Sequence, residues 1–307
     1  MSQNTLDILT SELFDYAGMF PPASLSFDEA VASSVRLRTL LKRPWLVGND
    51  LVLDIPSAQL LAGSDPMLWG YTQSPRLCIL ATAAPQEVIA TCETLLRREC
   101  NSAFHYVVAT IETRLPTNGM TLAEAIDPYF EYCQSNRIIL AIEPNLSGPD
   151  WLSKLEECLT YISSLSGRRS TVALKIRCSG ETSVRHEQLY HIIDAVSLSG
   201  AHLKATGGLH HPLIDPIRWG NTFGFLNLAA AVMFRRALGS LFEKGICNRL
   251  LQNGSPEALT FGAQMRFEEI AISAADLVNA KSRSLFSIGS CSLSEPDQDL
   301  AQAYNHE

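Results

Sequence analysis

Apolar residues in this chain gather in short β-branched and aliphatic runs separated by longer amphipathic stretches. Six runs read as buried strands: Leu51–Ile55, Leu77–Thr82, Tyr106–Glu112, Ile138–Glu143, Val172–Arg177 and His202–Thr206. Near-continuous apolar character over so few residues is what a strand covered on both faces shows. The run ends recur at intervals of roughly thirty residues, the span of one strand, one helix and two short loops. The intervening stretches read as helices. Pro85 to Arg98 opens on proline and has no interior glycine, and Thr121-Leu-Ala-Glu124 carries the Ser/Thr-x-x-Glu start signal. Trp151–Ser164 and Ser183–Leu198 repeat apolar residues at three- and four-residue spacing, and Gly200 offers a stop for the second.

Alternation this regular predicts a parallel sheet, and the number of repeats before residue 210 predicts a closed (β/α)8 TIM-type barrel. No Gly-x-Gly-x-x-Gly turn marks the crevice of an open doubly wound sheet. The last third is less regular. Phe223–Leu226 is expected as a seventh strand feeding a helix over Asn227–Leu238, and Glu257–Ala263 and Leu285–Ile288 compete for the eighth. Residues 1–44 are expected to form a helical cap, 45–288 the barrel and 289–307 a tail, all within one domain. In the cap, Asp15-Tyr-Ala-Gly-Met-Phe-Pro-Pro-Ala23 reads as a rigid apolar loop, either packing or an active-site wall.

Composition narrows the function classes. Hydrophobic residues make up 46% and charged residues 18% of 307 positions, enough for a sizeable core. A net charge of −8, with no basic run longer than Arg97-Arg98, Arg168-Arg169 or Arg235-Arg236, argues against nucleic acid. No apolar run approaches the roughly 18–20 residues of a membrane span, and the first residues lack a secretory pattern, so a cytoplasmic location is expected. The eight cysteines stand far apart without a Cys-x-x-Cys pair, which predicts reduced apolar fillers and gives no zinc signature. Cys178 and Cys291 are the two with noteworthy neighbours. Oligomerisation is left open.

The candidate chemistry lies where charges interrupt the apolar runs. Side chains alternate along a strand, so Lys175 and Arg177 share a face, as do Lys204 and Thr206, Thr110 and Glu112, and Ala141 and Glu143. Buried ammonium and carboxylate groups cost several kcal/mol unless paired, which brings Glu112, Glu143, Lys175, Arg177 and Lys204 together. The expected place is the carboxyl-terminal rim, where barrels keep their chemistry. Lys204 is the expected nucleophile, with its amine pKa depressed by Lys175. Glu112, His210 or His211 would move protons, and Arg177, Glu143, Thr206 and Asn227 would bind substrate. Helix capping is the simpler role for Asn227. Glu112, Glu143 and a histidine would also suit a divalent metal, although no ligand spacing supports one and no cofactor is otherwise expected.

Two resemblances rest on these residues. Asp15–Ala23, Lys204-Ala-Thr-Gly-Gly-Leu-His-His-Pro212, Gly224-Phe-Leu-Asn227 and Phe286-Ser-Ile-Gly-Ser-Cys-Ser292 together resemble a family of bacterial proteins from which no activity carries over. The stretch from Val172 to Gly180, a helix, then Ala201 to Gly207 is similar to deoxyribose-phosphate aldolases, class I aldolases on a (β/α)8 barrel. Their Lys-Thr-Ser-Thr-Gly strand end carries the Schiff-base lysine; Lys204-Ala-Thr-Gly-Gly208 shares the lysine and a later threonine and glycine, with Ala205 in place of the first threonine and His-His-Pro following. The second resemblance implies imine chemistry at Lys204. The expectation is an enzyme of aldolase or lyase type acting on a small anionic substrate. Metal-assisted proton abstraction and a non-catalytic anion- or partner-binding barrel are the alternatives.

Overall fold

Strand and helix alternate around a single parallel sheet. The computed structural model describes residues 4–64, 70–71, 73–98, 105–115, 119–165, 172–218, 223–284 and 286–304. The expectations for Cys100, Thr171 and Leu285 lie outside the described residues. The eight parallel strands are β1 (Phe14–Tyr16), β2 (Leu51–Leu53), β3 (Arg76–Leu80), β4 (Val107–Arg114), β5 (Ile139–Glu143), β6 (Val172–Arg177), β7 (His202–Thr206) and β11 (Ser287–Ser290). A separate antiparallel sheet joins β8 (Leu259–Thr260), β9 (Gln264–Phe267) and β10 (Ile270–Ser273). The large sheet runs β1-β11-β7-β6-β5-β4-β3-β2. Its two outer members also meet, through a parallel bridge from Phe14 to Val47 and bonds from Gly48 N to Phe14 O (2.7 Å) and Tyr16 N to Asn49 O (3.0 Å). That seam rolls the sheet into an α/β barrel of TIM type.

The helices form for local reasons that the sequence states openly. α2 (Phe27–Leu40), α5 (Leu122–Asn136) and α10 (Ala274–Ser282) each begin with a reciprocal capping box, Ser26/Glu29, Thr121/Glu124 and Ser273/Asp276. α4 (Pro85–Arg97) opens on proline and buries Val88, Thr91, Cys92 and Leu95, one stripe facing the sheet. α7 (His186–Ser199) stops at Gly200, which takes the left-handed conformation (φ 73°) that a side chain disfavours. Short α1 (Thr5–Thr10), α3 (Ile55–Gly63), α6 (Trp151–Leu165), α9 (Lys244–Leu251) and α11 (Ser294–Tyr304) are also present.

Two expectations are corrected. Phe223–Leu226 is not a strand: Gly224 caps α8 (Phe225–Leu238), which is buried from Phe225 through Arg235. A helix enclosed on every side shows no stripe, so its first turn cannot be told from a buried strand by pattern alone. The missing strand lies near the other end of the sequence, at Phe14–Tyr16, within the segment read as a helical cap. Asp15 at its centre breaks the apolar run by which the other strands, three-residue β2 among them, are read. Of the two candidates for the last strand, the later one holds: Ser287–Ser290 pairs with both β7 and β1. The residues after it also differ from a plain tail, since α11 packs its Asp297 against the Lys42 amide (2.7 Å) and Arg43 Nη1 (3.2 Å).

Candidate active site

Register puts the charged residues inside the barrel. Lys175 stands opposite Lys204, and Arg177 opposite Thr206, across the β6–β7 pair. Glu112 stands opposite Ala141, and Arg114 opposite Glu143, across β4–β5. The long side chains then form one continuous row. Lys204 Nζ contacts Asp15 Oδ2, Ser287 Oγ (3.0 Å) and Glu112 Oε1 (3.2 Å). Glu112 Oε2 lies 2.6 Å from Lys175 Nζ, which in turn lies 2.8 Å from Glu143 Oε2. Arg177 Nε (3.1 Å) and Arg114 Nη2 (2.9 Å) both reach Glu143 Oε1. Signs alternate from Asp15 to the arginines. Asp15, Lys204, Glu112, Lys175 and Glu143 are buried, while the side chains of Arg177 and Arg114 are 30% and 60% exposed.

The pairing sets the protonation states. Burial works against the ammonium of Lys204, but Asp15 and Glu112 outweigh it and raise its pKa above the ordinary lysine value. Lys175 behaves alike, with burial overcome by Glu112 and Glu143. Burial would raise Glu112, yet Lys175 and Lys204 bring it down to about 2. Glu143 is lowered in the same way. The expected depression of the Lys204 amine by Lys175 is therefore reversed, because Glu112 bridges the two lysines. The Cys78 thiol donates to Glu112 Oε1 (3.1 Å), and burial, joined by the Glu112 charge, pushes its pKa well up. It is a buried hydrogen-bond donor, more than the filler expected.

The row does not ring one rim. It crosses the interior, from Lys204 and Asp15 in mid-strand to Glu143, Arg177 and Arg114 at the carboxyl ends of β5, β6 and β4. A cavity of about 660 Å³ reaches Lys204 and Asp15 from the opposite direction. Arg76, Ile139, Ala173 and Ser287 line it, each at or next to the start of its strand, together with Asn49 and Thr110.

Several expected members stand elsewhere. His210 Nδ1 is 3.3 Å from Glu295 Oε2, and His211 Nδ1 is 2.6 Å from Asp299 Oδ2, so both rings are turned to α11. They do not join Glu112 and Glu143, and the imagined metal set is not brought together. Among the described residues no group of three or more His, Cys, Asp or Glu side chains converges in a way that would hold a metal. Asn227 lies in the first turn of α8 with its side chain bonded to three backbone groups. Its Oδ1 accepts from Ile214 N (3.1 Å), and its Nδ2 donates to Leu250 O (2.8 Å) and Asn253 O (3.0 Å), tying the loop at Ile214 to the end of α9 and the residues after it. Thr206 packs over Gly289, where an added Cβ would come within 3.0 Å of Thr206 Oγ1. Ser290 Oγ donates to Ser292 O (2.6 Å), a closed turn. Cys178 and Cys291 are both buried, and burial pushes both thiols up, Cys178 to about 12.

Asp15, Asn49, Arg114 and Ser287 are the site residues that sequence reasoning missed. Asp15 had a signal, an acidic residue amid Leu13, Phe14 and Tyr16, where only a buried partner makes it tolerable. Asn49 precedes β2 and carried none, and Ser287, the first residue of β11, was marked only as part of the Phe286–Ser292 motif. No protein-family model matches the chain, and no curated protein matches it, so the site stands on its own geometry.

Proposed function

We propose that this protein is an enzyme that forms an imine between Lys204 and a small anionic carbonyl compound, as aldolases and lyases of this type do. The observation that carries the reading is the contact of Lys204 with two buried carboxylates, Asp15 and Glu112, beside a second lysine. A lysine needed only for packing would be better replaced by an apolar residue, since a buried ion pair seldom stabilises a fold more than its hydrophobic equivalent. The contact with Asp15 also supplies what a raised amine pKa demands. Asp15 takes the ammonium proton, and the freed amine adds to the carbonyl carbon. The resulting hydroxyl leaves as water with the proton returned by Asp15. Glu112, held ionised, then accepts a proton from the substrate hydroxyl as the carbon–carbon bond breaks toward the iminium. Lys175 keeps Glu112 charged, and Glu143 with its two arginines holds Lys175.

The test is borohydride reduction in the presence of a panel of 2-oxo acids and sugar phosphates, read by peptide mass spectrometry. A reduced adduct on Lys204 is expected with at least one compound. Lys204→Arg keeps the charge and its partners but cannot form the adduct, so it should fold and lose the trapped mass. Absence of any Lys204 adduct across the panel would overturn the imine reading.

A further inference from the structure

We infer that the ligand of Lys204 enters through the amino-terminal mouth of the barrel, the end opposite the usual catalytic rim, and is a small hydroxylated anion. The inference rests on Lys204 being the reacting group, and adds the route and the class of compound. Three observations support it. First, the cavity of about 660 Å³ falls within the size range of small-ligand sites and touches Lys204 and Asp15 at its floor. Its walls come from the starts of β3, β5, β6 and β11, and from the carboxyl end of α10, which precedes β11.

Second, Asn49 lines this cavity with its Oδ1 buried and without a hydrogen-bond partner, while its Nδ2 donates to Thr110 Oγ1 (3.4 Å). An orphaned buried acceptor costs about 1–3 kcal/mol, and a hydroxyl or amine of a bound molecule would satisfy it. Thr110 and Ser287 present further hydroxyls beside it. Third, the cavity carries cations as well as the carboxylates of Asp7, Glu12 and Asp15: Lys281 and, with its side chain exposed, Arg76, a cation placed to receive an anionic group. At the far end, by contrast, Arg177 and Arg114 direct their bonds to Glu143.

Access can be measured without any imine. Thr110→Cys places a thiol on the cavity wall, so access is read without depending on the charge of Lys204. Its thiolate attacks the anionic reagent 2-sulfonatoethyl methanethiosulfonate: a disulfide bond forms, the reagent's sulfur–sulfur bond breaks and methanesulfinate leaves. Labelling at pH 8 would be followed by peptide mass spectrometry in this parent protein and in three variants built on it. Ile139→Trp fills the cavity wall, Ser282→Trp stands at its exposed rim, and Leu115→Trp follows the carboxyl end of β4. Labelling at position 110 should fall at least tenfold in the first two and less than twofold in the third, with folding checked by circular dichroism. Ser282 is exposed, so that variant keeps the test decisive should Ile139→Trp fail to fold. A loss confined to Leu115→Trp, no loss in Ser282→Trp, or no labelling at position 110 in the folded parent would overturn the inference. Labelling from this mouth without any borohydride adduct would instead remove only the imine reading.

Discussion

At the scale of single residues, the interior row is a set of coupled charges, and its titration should be visible in stability. Glu112 has a folded pKa of about 2 against an ordinary value of 4.5. A depressed carboxyl contributes stability that is fully present above its unfolded pKa and is lost as the pH falls toward the folded one. Urea midpoints for the wild-type protein should therefore drop between pH 4.5 and pH 2, and Glu112→Gln should flatten that drop while lowering stability at neutral pH. A wild-type slope retained in full by the variant would show that other carboxylates carry it. The lysines work in the other sense. Their raised pKa values make a contribution that is complete below the ordinary lysine range and fades at higher pH. Side-chain parity was enough to read five members of this row from sequence, since alternation fixes which residues share a strand face. It could not read the sign of the shift on Lys204. That depends on which carboxylate stands between the lysines, a matter of register between strands and not of order within one.

At the scale of elements, what was legible depended on an unbroken apolar run. Strands β2 to β7 announced themselves by composition, three-residue β2 among them; equally short β1, with Asp15 at its centre, did not, although it is essential to the ring. Helix starts with a capping box were legible down to the residue at Thr121. α8 was misread at its first turn because burial on all sides erases periodicity, and the same burial makes its anchor costly to lose. Asn227, in that first turn, satisfies three backbone groups, at Ile214, at Leu250 in the last turn of α9 and at Asn253 beyond it. Asn227→Ala should destabilise the fold by about 2–3 kcal/mol, the cost of leaving buried groups unpaired. Asn227→Asp keeps the acceptor for Ile214 but loses both donors, so it should not restore stability. Chemical denaturation of both variants is the check, and a change under about 0.5 kcal/mol, ordinary for a surface substitution, would mean that the loops do not need the tie.

At the scale of the whole molecule, the surface and the interior carry opposite tendencies. The chain has a net charge of −8, while the row from Asp15 to Arg114 holds three carboxylates against four cations. The thirty-residue repeat disclosed the barrel because each βα unit repeats the same covering of a buried strand. The mouth that opens on Lys204 was not disclosed. Cavities arise from how far helices α1 and α10 stand from the strand ends, which no local pattern records. The carboxyl-terminal helix is fastened across the ring by the buried Arg43–Asp297 pair at 3.2 Å. Asp297→Ala leaves Arg43 buried without its carboxylate and should cost about 3–5 kcal/mol. A melting temperature within a degree of the wild type would refute that role for the helix.

The seam between β1 and β11 has a consequence for how the molecule comes into being. A ribosome releases Phe14–Tyr16 early and Ser287–Ser290 only after every other strand of the sheet. Contacts this distant in sequence form slowly, because a long loop must be ordered before they reward it. Until the seam shuts, Asp15 has neither Lys204 nor Ser287 for company, and the ionic row cannot be completed. Burying an unfinished row would strand uncompensated charges in a dry interior. Drying of the interior is thus costly until the last strand arrives, so closing the seam and completing the row belong to one event.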